Sequence, residues 1–341
     1  MKALVIDQIG HTEFREIETP QLGNNDVLLR VLHVGLCGSD LNTFRGANPL
    51  AALPRIPGHE IGGEILEIGP NVPTDFQPGK RGIVIPYSTC GTCMACRSDR
   101  PNACKNNQTL GVQKDGGMCD VISVPYDRLI LNTTLPAPHL ALVEPLSVGF
   151  HAVARGQVSK DETVVVMGGG MIGVGAILGA KARGARVIVA EVSDAKTDTL
   201  LALGVETVIN PQTQDLNAEI MRLTDNLGPN LVIEAVGLPE TFRAAVDLAS
   251  FAGRVVYVGY AKSEVSYNTS LFNLKELDIR GSRNATRVDF ETVISFLTGQ
   301  EKLANTLISK IFPWTKADQA FTYWEANRNK TFKVMIDLQD A

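Results

Sequence analysis

The sequence predicts a two-domain protein of α/β and β class, one domain built mainly of strands and the other of alternating strands and helices. Three observations carry this. The chain has 341 residues, beyond the ~250–300 at which a single core stops growing. Up to about residue 150, short apolar runs are broken by glycine and proline, whereas from Thr163 nearly all-apolar strands alternate with helical stretches. A glycine-rich turn stands near that change, at residues 168–173.

Composition narrows the function classes. Apolar residues make up 44% and charged residues 20%, the usage of an ordinary globular protein rather than a disordered chain. Thirty-two basic against 37 acidic residues give a net charge of −5, with no basic tail. Nucleic acid and anionic membranes therefore fall away as partners. Residues 163–180 carry no charge, but six of these 18 are glycine, so strand, turn and helix explain them better than a membrane span. The first seven residues lack a basic stretch leading into an apolar one, so a cytoplasmic protein is expected.

In chain order, residues 27–34, 61–68 and 80–86 read as strands of the first domain. The second domain offers strands at 163–167, 186–191, 207–209, 231–235 and 254–259, with helices at 172–183 and 216–226. Nearly all-apolar strands in repeated βα units predict a parallel sheet covered on both faces. Helices follow at 288–297 and 315–329, then a strand at 332–338 whose sheet the pattern alone does not choose.

The turn after the first strand of the second domain satisfies G-x-G-x-x-G. Gly168 permits the tight turn, Gly170 lets backbone approach a pyrophosphate, and Gly173 allows close packing of helix on sheet. The phosphates would sit at the helix N-terminus, beside Met171 and Ile172. Glu191 lies 21 residues beyond Gly170, at the end of the next strand, where a carboxylate can hold both ribose hydroxyls. The same carboxylate repels a 2′-phosphate, so NAD is expected rather than NADP.

Two cysteine-containing groups have metal-ligand character. Cys90, Cys93, Cys96 and Cys104 follow C-x2-C-x2-C-x7-C in a polar stretch, enough for a closed tetrahedral zinc that folds a lobe poor in apolar residues. The second group is dispersed: Cys37, the pair His59 and Glu60, and Glu144. A thiolate, an imidazole and a carboxylate form the mixed set that catalytic zinc uses, with a position left open.

The ordered set of Cys37-Gly38-Ser39-Asp40, Gly58-His59-Glu60, the four-cysteine lobe, Asp115-Gly116-Gly117, Glu144-Pro145-Leu146-Ser147-Val148 and the glycine-rich turn resembles the zinc-dependent medium-chain dehydrogenase/reductase family. It is most similar to the polyol (sorbitol) dehydrogenase branch and to bacterial sugar-acid oxidoreductases of the galactonate type. The resemblance implies a GroES-like catalytic domain over residues 1–150, a Rossmann NAD-binding domain over 151–285, and a segment 286–341 returning to the first domain. It implies one catalytic and one structural zinc, with the reaction in the cleft between domains. Cys37 and His59 correspond to catalytic ligands, and the third is either Glu60 or Glu144. Ala235, Val236 and Gly237, with Val258, Gly259 and Tyr260, would line the cofactor, and Ser282 and Arg283 would approach its nicotinamide. A homodimer or homotetramer is implied as well.

The implied chemistry is oxidation of a secondary alcohol, with zinc as Lewis acid and NAD as hydride acceptor. Ser39 is the candidate for passing the hydroxyl proton, yet Asn42 stands where many relatives have a histidine, and an amide does not titrate. Asp40 either orients His59 or caps a helix near Leu41. Cys119 and His151 read as packing residues. The loop holding Phe44, Arg45 and Asn48 suits a polyol or sugar acid better than a long aliphatic alcohol. The rivals are a simple secondary-alcohol or amino-alcohol dehydrogenase and a zinc-stabilised, nucleotide-binding regulator without turnover.

Overall fold

Seven strands form among the first 131 residues, where β-branched and leucine-rich runs end at glycine, proline or polar turns. They are β1 (Lys2–Gln8), β2 (His11–Glu16), β3 (Asp26–Gly35), β4 (Glu60–Ile68), β5 (Arg81–Val84), β6 (Val121–Pro125) and β7 (Leu129–Leu131). β1 and β2 pair with each other in a separate antiparallel hairpin. β3 is buried along most of its length on both faces, Arg30 excepted, and it pairs with both β4 and β6. A computed structural model describes residues 1–339. Its two units are Met1–Glu144 together with the chain from Thr286 onward, and Pro145–Ala285.

The second unit is a six-stranded parallel sheet. Its strands are β8 (Thr163–Met167), β9 (Arg186–Ala190), β10 (Thr207–Ile209), β11 (Leu231–Glu234), β12 (Arg254–Tyr257) and β13 (Asp278–Gly281), in spatial order β10-β9-β8-β11-β12-β13. Chain direction reverses its march between β8 and β11, and beyond the carboxyl ends of strands at such a point a ligand crevice opens. Val165, Ile188, Val232 and Val255 sit in the core of this unit, together with Ile220 and Leu248 from the helices that cover the sheet.

The chain then returns to the first unit. β14 (Ile308–Pro313) pairs in parallel with β15 (Lys333–Asp337), and β15 lies antiparallel to β3. The resulting sheet runs β14-β15-β3-β4-β5-β7, with β6 also on β3. Val334 and Ile336 join Leu29, Val31 and Ile61 in one core, which is why the last strand belongs here. Residues 340 and 341 of the anticipated return segment lie outside the described residues.

Several boundaries differ from the pattern reading. The domain limit anticipated at residue 150 falls inside the continuous helix Ala137–Arg155, and the division between units comes at Glu144 and Pro145. The helix expected over 216–226 stops at Leu223, because Asp225 and Asn226 take left-handed backbone (φ 51° and 63°). The stretch expected as one helix over 315–329 is a tight turn, Trp314–Gln319, followed by the helix Ala320–Asn327. Non-helical backbone at Lys316 kinks the first of these, in which Trp314 and Ala317 bury into the core. The hairpin β1–β2 was not anticipated, since β2 is a short and largely polar run.

Candidate metal centres and dinucleotide site

The first centre is assembled at the end of β3 and the start of β4. Cys37 is the N-cap of the short helix Gly38–Phe44, and Asp40 in its first turn is fully buried. Asp40 Oδ2 accepts from the Cys37 N–H at 2.8 Å and Oδ1 accepts from the Gly58 N–H at 3.1 Å. One carboxylate thus ties together the two segments that carry Cys37 and His59. His59 Nδ1 stands 3.9 Å from Asp40 Oδ1, beyond hydrogen-bond range, and Asp40 does not precede a helix at Leu41 but lies within the first turn, where its carboxylate closes a capping box on the Cys37 N–H.

Glu60 opens β4 directly across from Gly35. A Cβ on Gly35 would stand 2.0 Å from Glu60 Oε2, so glycine there makes the room that the carboxylate occupies. Lys333, at the start of β15 and 2% exposed, donates to Glu60 Oε1 at 2.6 Å, to Oε2, and to the Leu36 carbonyl at 3.0 Å. Burial pushes the Glu60 carboxyl up to about 6, with Lys333 opposing the rise and Glu144 adding to it. On the helix Ala137–Arg155, Glu144 accepts a short hydrogen bond on Oε1 from the Tyr87 hydroxyl. Both residues are buried, and burial followed by the Glu144 charge holds the phenol well above its ordinary range.

Cys37, His59 and Glu60 each present a donor atom within 4.8 Å of the others. Glu144 stands outside this trio, although its charge acts on both His59 and Glu60. Burial alone would lower the His59 pKa, but Cys37, then Asp40 and Glu144, raise it well above the ordinary value. Asp40, Glu60 and Glu144 are all buried, Lys333 pairs with Glu60, and His59 Nδ1 has no hydrogen-bond partner among the described residues. A thiolate, imidazole and carboxylate set with excess negative charge and an uncommitted ring nitrogen fits a zinc ion.

The second centre is the loop carrying Cys90, Cys93, Cys96 and Cys104, whose sulfurs also lie within 4.8 Å of one another. Sulfur pairs stand 3.5 Å (Cys93–Cys96), 3.6 Å (Cys90–Cys104) and 3.9 Å (Cys93–Cys104) apart. Disulfides would need about 2.05 Å, whereas four thiolates each ~2.3 Å from one zinc stand ~3.8 Å apart in a regular tetrahedron. Backbone N–H groups of Cys90 and Cys93 point at the sulfurs of Cys104 and Cys90, at 3.3 and 3.4 Å. The Thr92 hydroxyl and the backbone N–H groups of Thr92 and Cys93 pull the Cys90 thiol down to about 5, while burial pushes Cys96 up to about 11.

In the second unit, every anticipated dinucleotide segment falls at the carboxyl end of a parallel strand. The glycine turn follows β8, Glu191 follows β9, Ala235, Val236 and Gly237 follow β11, Val258, Gly259 and Tyr260 follow β12, and Ser282 and Arg283 follow β13. Gly168 takes φ 95°, and Gly170 caps the helix Met171–Ala182. A Cβ on Gly173 would meet the Gly168 carbonyl at 1.8 Å, while one on Gly170 would have nothing within 4 Å. Met171 is buried and Ile172 half-buried at the helix start. Glu191 is buried and accepts from the Gly169 N–H at 2.8 Å and the Ser193 N–H at 2.9 Å. Val236 and Tyr260 are exposed, at 44% and 74%, so apolar surface is available to a ligand at this edge. Arg283 is exposed, and the buried Ser282 Oγ has no partner among the described residues.

Some anticipated roles change. The loop expected to meet substrate is occupied by internal contacts: Phe44 stacks on Phe321 at 5.1 Å, Arg45 pairs with Glu325, and Asn48 donates to Thr43 Oγ1 at 3.0 Å. Ser39 Oγ is buried without a partner among the described residues. Cys119 is a buried thiol, pushed up to about 12 by burial. Three residues were missed. Lys333 was readable as a cation within a strand-like apolar run, and Lys196, 4.0 Å from Glu191, as a basic residue five positions beyond it. Tyr87 gave no signal.

The comparisons with known proteins agree with this arrangement. An alcohol dehydrogenase GroES-like domain matches residues 23–136 and a zinc-binding dehydrogenase domain matches residues 172–299. An uncharacterized zinc-type alcohol dehydrogenase-like protein of Haemophilus influenzae is 35% identical, over 91% of each chain. L-galactonate-5-dehydrogenase of Escherichia coli K12 is 32% identical over 98% of each, and sorbitol dehydrogenase of Halalkalibacterium halodurans is 34% identical over 96% of this chain and 97% of its own. Among solved structures, an alcohol dehydrogenase from E. coli CFT073 complexed with NADH superposes with TM-score 0.91 at 28% identity, covering 99% of both chains. A zinc-binding dehydrogenase from Sinorhizobium meliloti bound to NADP gives 0.87 at 27%, again covering 99% of both. With both domain types matched in order and relatives of this identity aligned along nearly its whole length, the chain belongs to the zinc-dependent medium-chain dehydrogenase/reductase family.

Proposed function

We propose that this enzyme transfers a hydride between NAD and a secondary alcohol or ketone of a polyol or sugar acid. The observation that carries the reading is the meeting of Cys37, His59 and Glu60 donor atoms within 4.8 Å in a buried, acid-rich pocket. Cys37, His59 and Glu60 would hold a catalytic zinc, and the four cysteines from Cys90 to Cys104 a structural one. Zinc supplies Lewis acidity toward the substrate hydroxyl, and NAD supplies the hydride acceptor. Glu144, held on one oxygen by Tyr87, would hold the hydroxyl proton as the alcohol is oxidised. The Ser39 hydroxyl, buried and uncommitted, would pass that proton on, and since Asn42 cannot titrate, Glu60 or Glu144 with water would take the place of a relay histidine.

The polyol and sugar-acid class is supported by the relatives named sorbitol dehydrogenase and L-galactonate-5-dehydrogenase. NAD is supported by Glu191, whose carboxylate would accept from the ribose hydroxyls and repel a 2′-phosphate. A second cofactor reading, NADP, is favoured by the proximity of Lys196 and by the NADP-bound relative. No helix among the described residues is long and apolar enough to cross a membrane. We place the protein in the cytoplasm as a homodimer or homotetramer, a state that light scattering reads directly.

A turnover screen of metal-analysed protein, with NAD and NADP against hexitols, pentitols and aldonic acids, tests the reading. Faster turnover with NAD on one of these classes is expected. Activity confined to aliphatic alcohols or amino alcohols would reject the substrate class, and equal use of NADP would reject the role given to Glu191.

A further inference from the structure

We infer that Tyr87 is a positioning residue for Glu144, its hydroxyl fixing carboxylate oxygen Oε1 and so restraining the directions left to Oε2. The inference rests on the proposed reading of Cys37, His59 and Glu60 as holding the catalytic metal, and adds a residue that neither sequence motif nor ligand count singles out. Tyr87 and Glu144 are each 4% exposed, so water does not compete for the bond. A glutamate on a helix has three side-chain torsions to restrain, and a buried donor on one oxygen restrains them together.

The segment around Tyr87 is itself held on both sides. The Ile85 N–H donates to Arg128 O at 2.7 Å, and the Leu110 N–H donates to Pro86 O at 3.0 Å. Tyr87 forms a bridge with Thr109, the Ser88 N–H donates to Gln108 O at 3.2 Å, and Arg128 reaches Thr89 Oγ1 at 2.7 Å. The Phe290 ring stands edge-on to the Tyr87 ring at 6.4 Å and 78°, which limits the directions open to the phenol. Cys90 follows three residues later, so the four-cysteine lobe anchors the far end of this segment. Packing would be equally satisfied by phenylalanine at 87. Only a donor accounts for the hydroxyl being aimed at Glu144.

Four proteins decide the matter: wild type, Tyr87→Phe, Glu144→Gln and the double variant, each loaded with zinc for kinetics and with cobalt(II) for absorption. Tyr87→Phe is expected to lower kcat by ~10–100-fold, the scale of one buried hydrogen bond to a charged group, while leaving KM for NAD unchanged. Added to Glu144→Gln, it should cost less than about twofold more, because its effect passes through the carboxylate. The cobalt spectra of the two single variants should shift in the same direction. Wild-type kcat in Tyr87→Phe, or losses that simply add in the double variant, would overturn the inference. Melting curves accompany the series, and the cobalt spectra are recorded below the transition so that reduced stability does not mask the result. If wild type oxidises none of the alcohols, the proposed function fails on its own. The cobalt spectra then still decide, matching shifts upholding the Tyr87 role and a Tyr87→Phe spectrum identical to wild type rejecting it.

Discussion

Lys333 and Glu60 are 273 residues apart in the chain, and both are almost wholly buried. A buried pair adds little net stability compared with an apolar replacement, but removing one partner strands a charge, which costs about 3–5 kcal/mol. Lys333→Met should therefore destabilise metal-stripped protein by that amount in urea titration, and adding Glu60→Gln should restore most of it. Equal midpoints for wild type and Lys333→Met would show that the pair is not formed. The same two residues mark how far single positions can be read. Glu60 was legible because it adjoins His59 in a recognisable pattern. Lys333 was visible only as an odd charge in an apolar strand, and nothing in that strand names its partner. Tyr87 was invisible, because a tyrosine before a cysteine lobe acquires its role from a helix that begins 50 residues later.

At the scale of elements, the turn between β8 and its helix separates two uses of glycine. Gly173 is required by packing, since a Cβ there would collide with the Gly168 carbonyl. Gly170 is not: its surroundings are open and it lies at φ −76°, which any residue adopts. What glycine at 170 offers is close approach by a ligand at the helix N-terminus. Gly173→Ala should therefore lower the melting temperature by several degrees and weaken NADH binding. Gly170→Ala should melt like wild type yet bind NADH at least ~10-fold more weakly, by fluorescence titration, as one displaced anion contact of ~1.4 kcal/mol requires. Wild-type affinity in Gly170→Ala would mean that no pyrophosphate rests there. The strands and this turn were legible because period and glycine spacing are local signals. The contacts of Phe44 and Arg45 were not, since their partners Phe321 and Glu325 lie far along the chain, while Asn48 is taken up by the neighbouring Thr43.

Over the whole molecule, both metal-ligand groups belong to the first unit and every anticipated dinucleotide contact belongs to the second. The alternation of strands and helices foretold the parallel sheet, while the placement of β15 beside β3 needed more than pattern. A strand of five residues carries no label for its sheet, and its apolar side chains suit either core. The two metal groups differ in how they depend on the fold. Cys90, Cys93, Cys96 and Cys104 lie within 15 residues and can organise their own loop around an ion, whereas Cys37, His59 and Glu60 converge only once β3, β4 and β15 are assembled. Metal content should then separate by group. Wild-type protein is expected to hold about two zinc ions per chain by the ligand sets above, and Cys37→Ala about one. Cys37→Ala should also lose turnover while its four lobe thiols stay protected from a thiol reagent. Replacing Cys93 and Cys96 instead should expose the remaining lobe thiols and loosen the segment that carries Tyr87, lowering activity without touching a catalytic ligand. Elemental analysis with thiol counting on the three proteins checks this, and a Cys37→Ala variant retaining two metals or full turnover would overturn the assignment of the first centre.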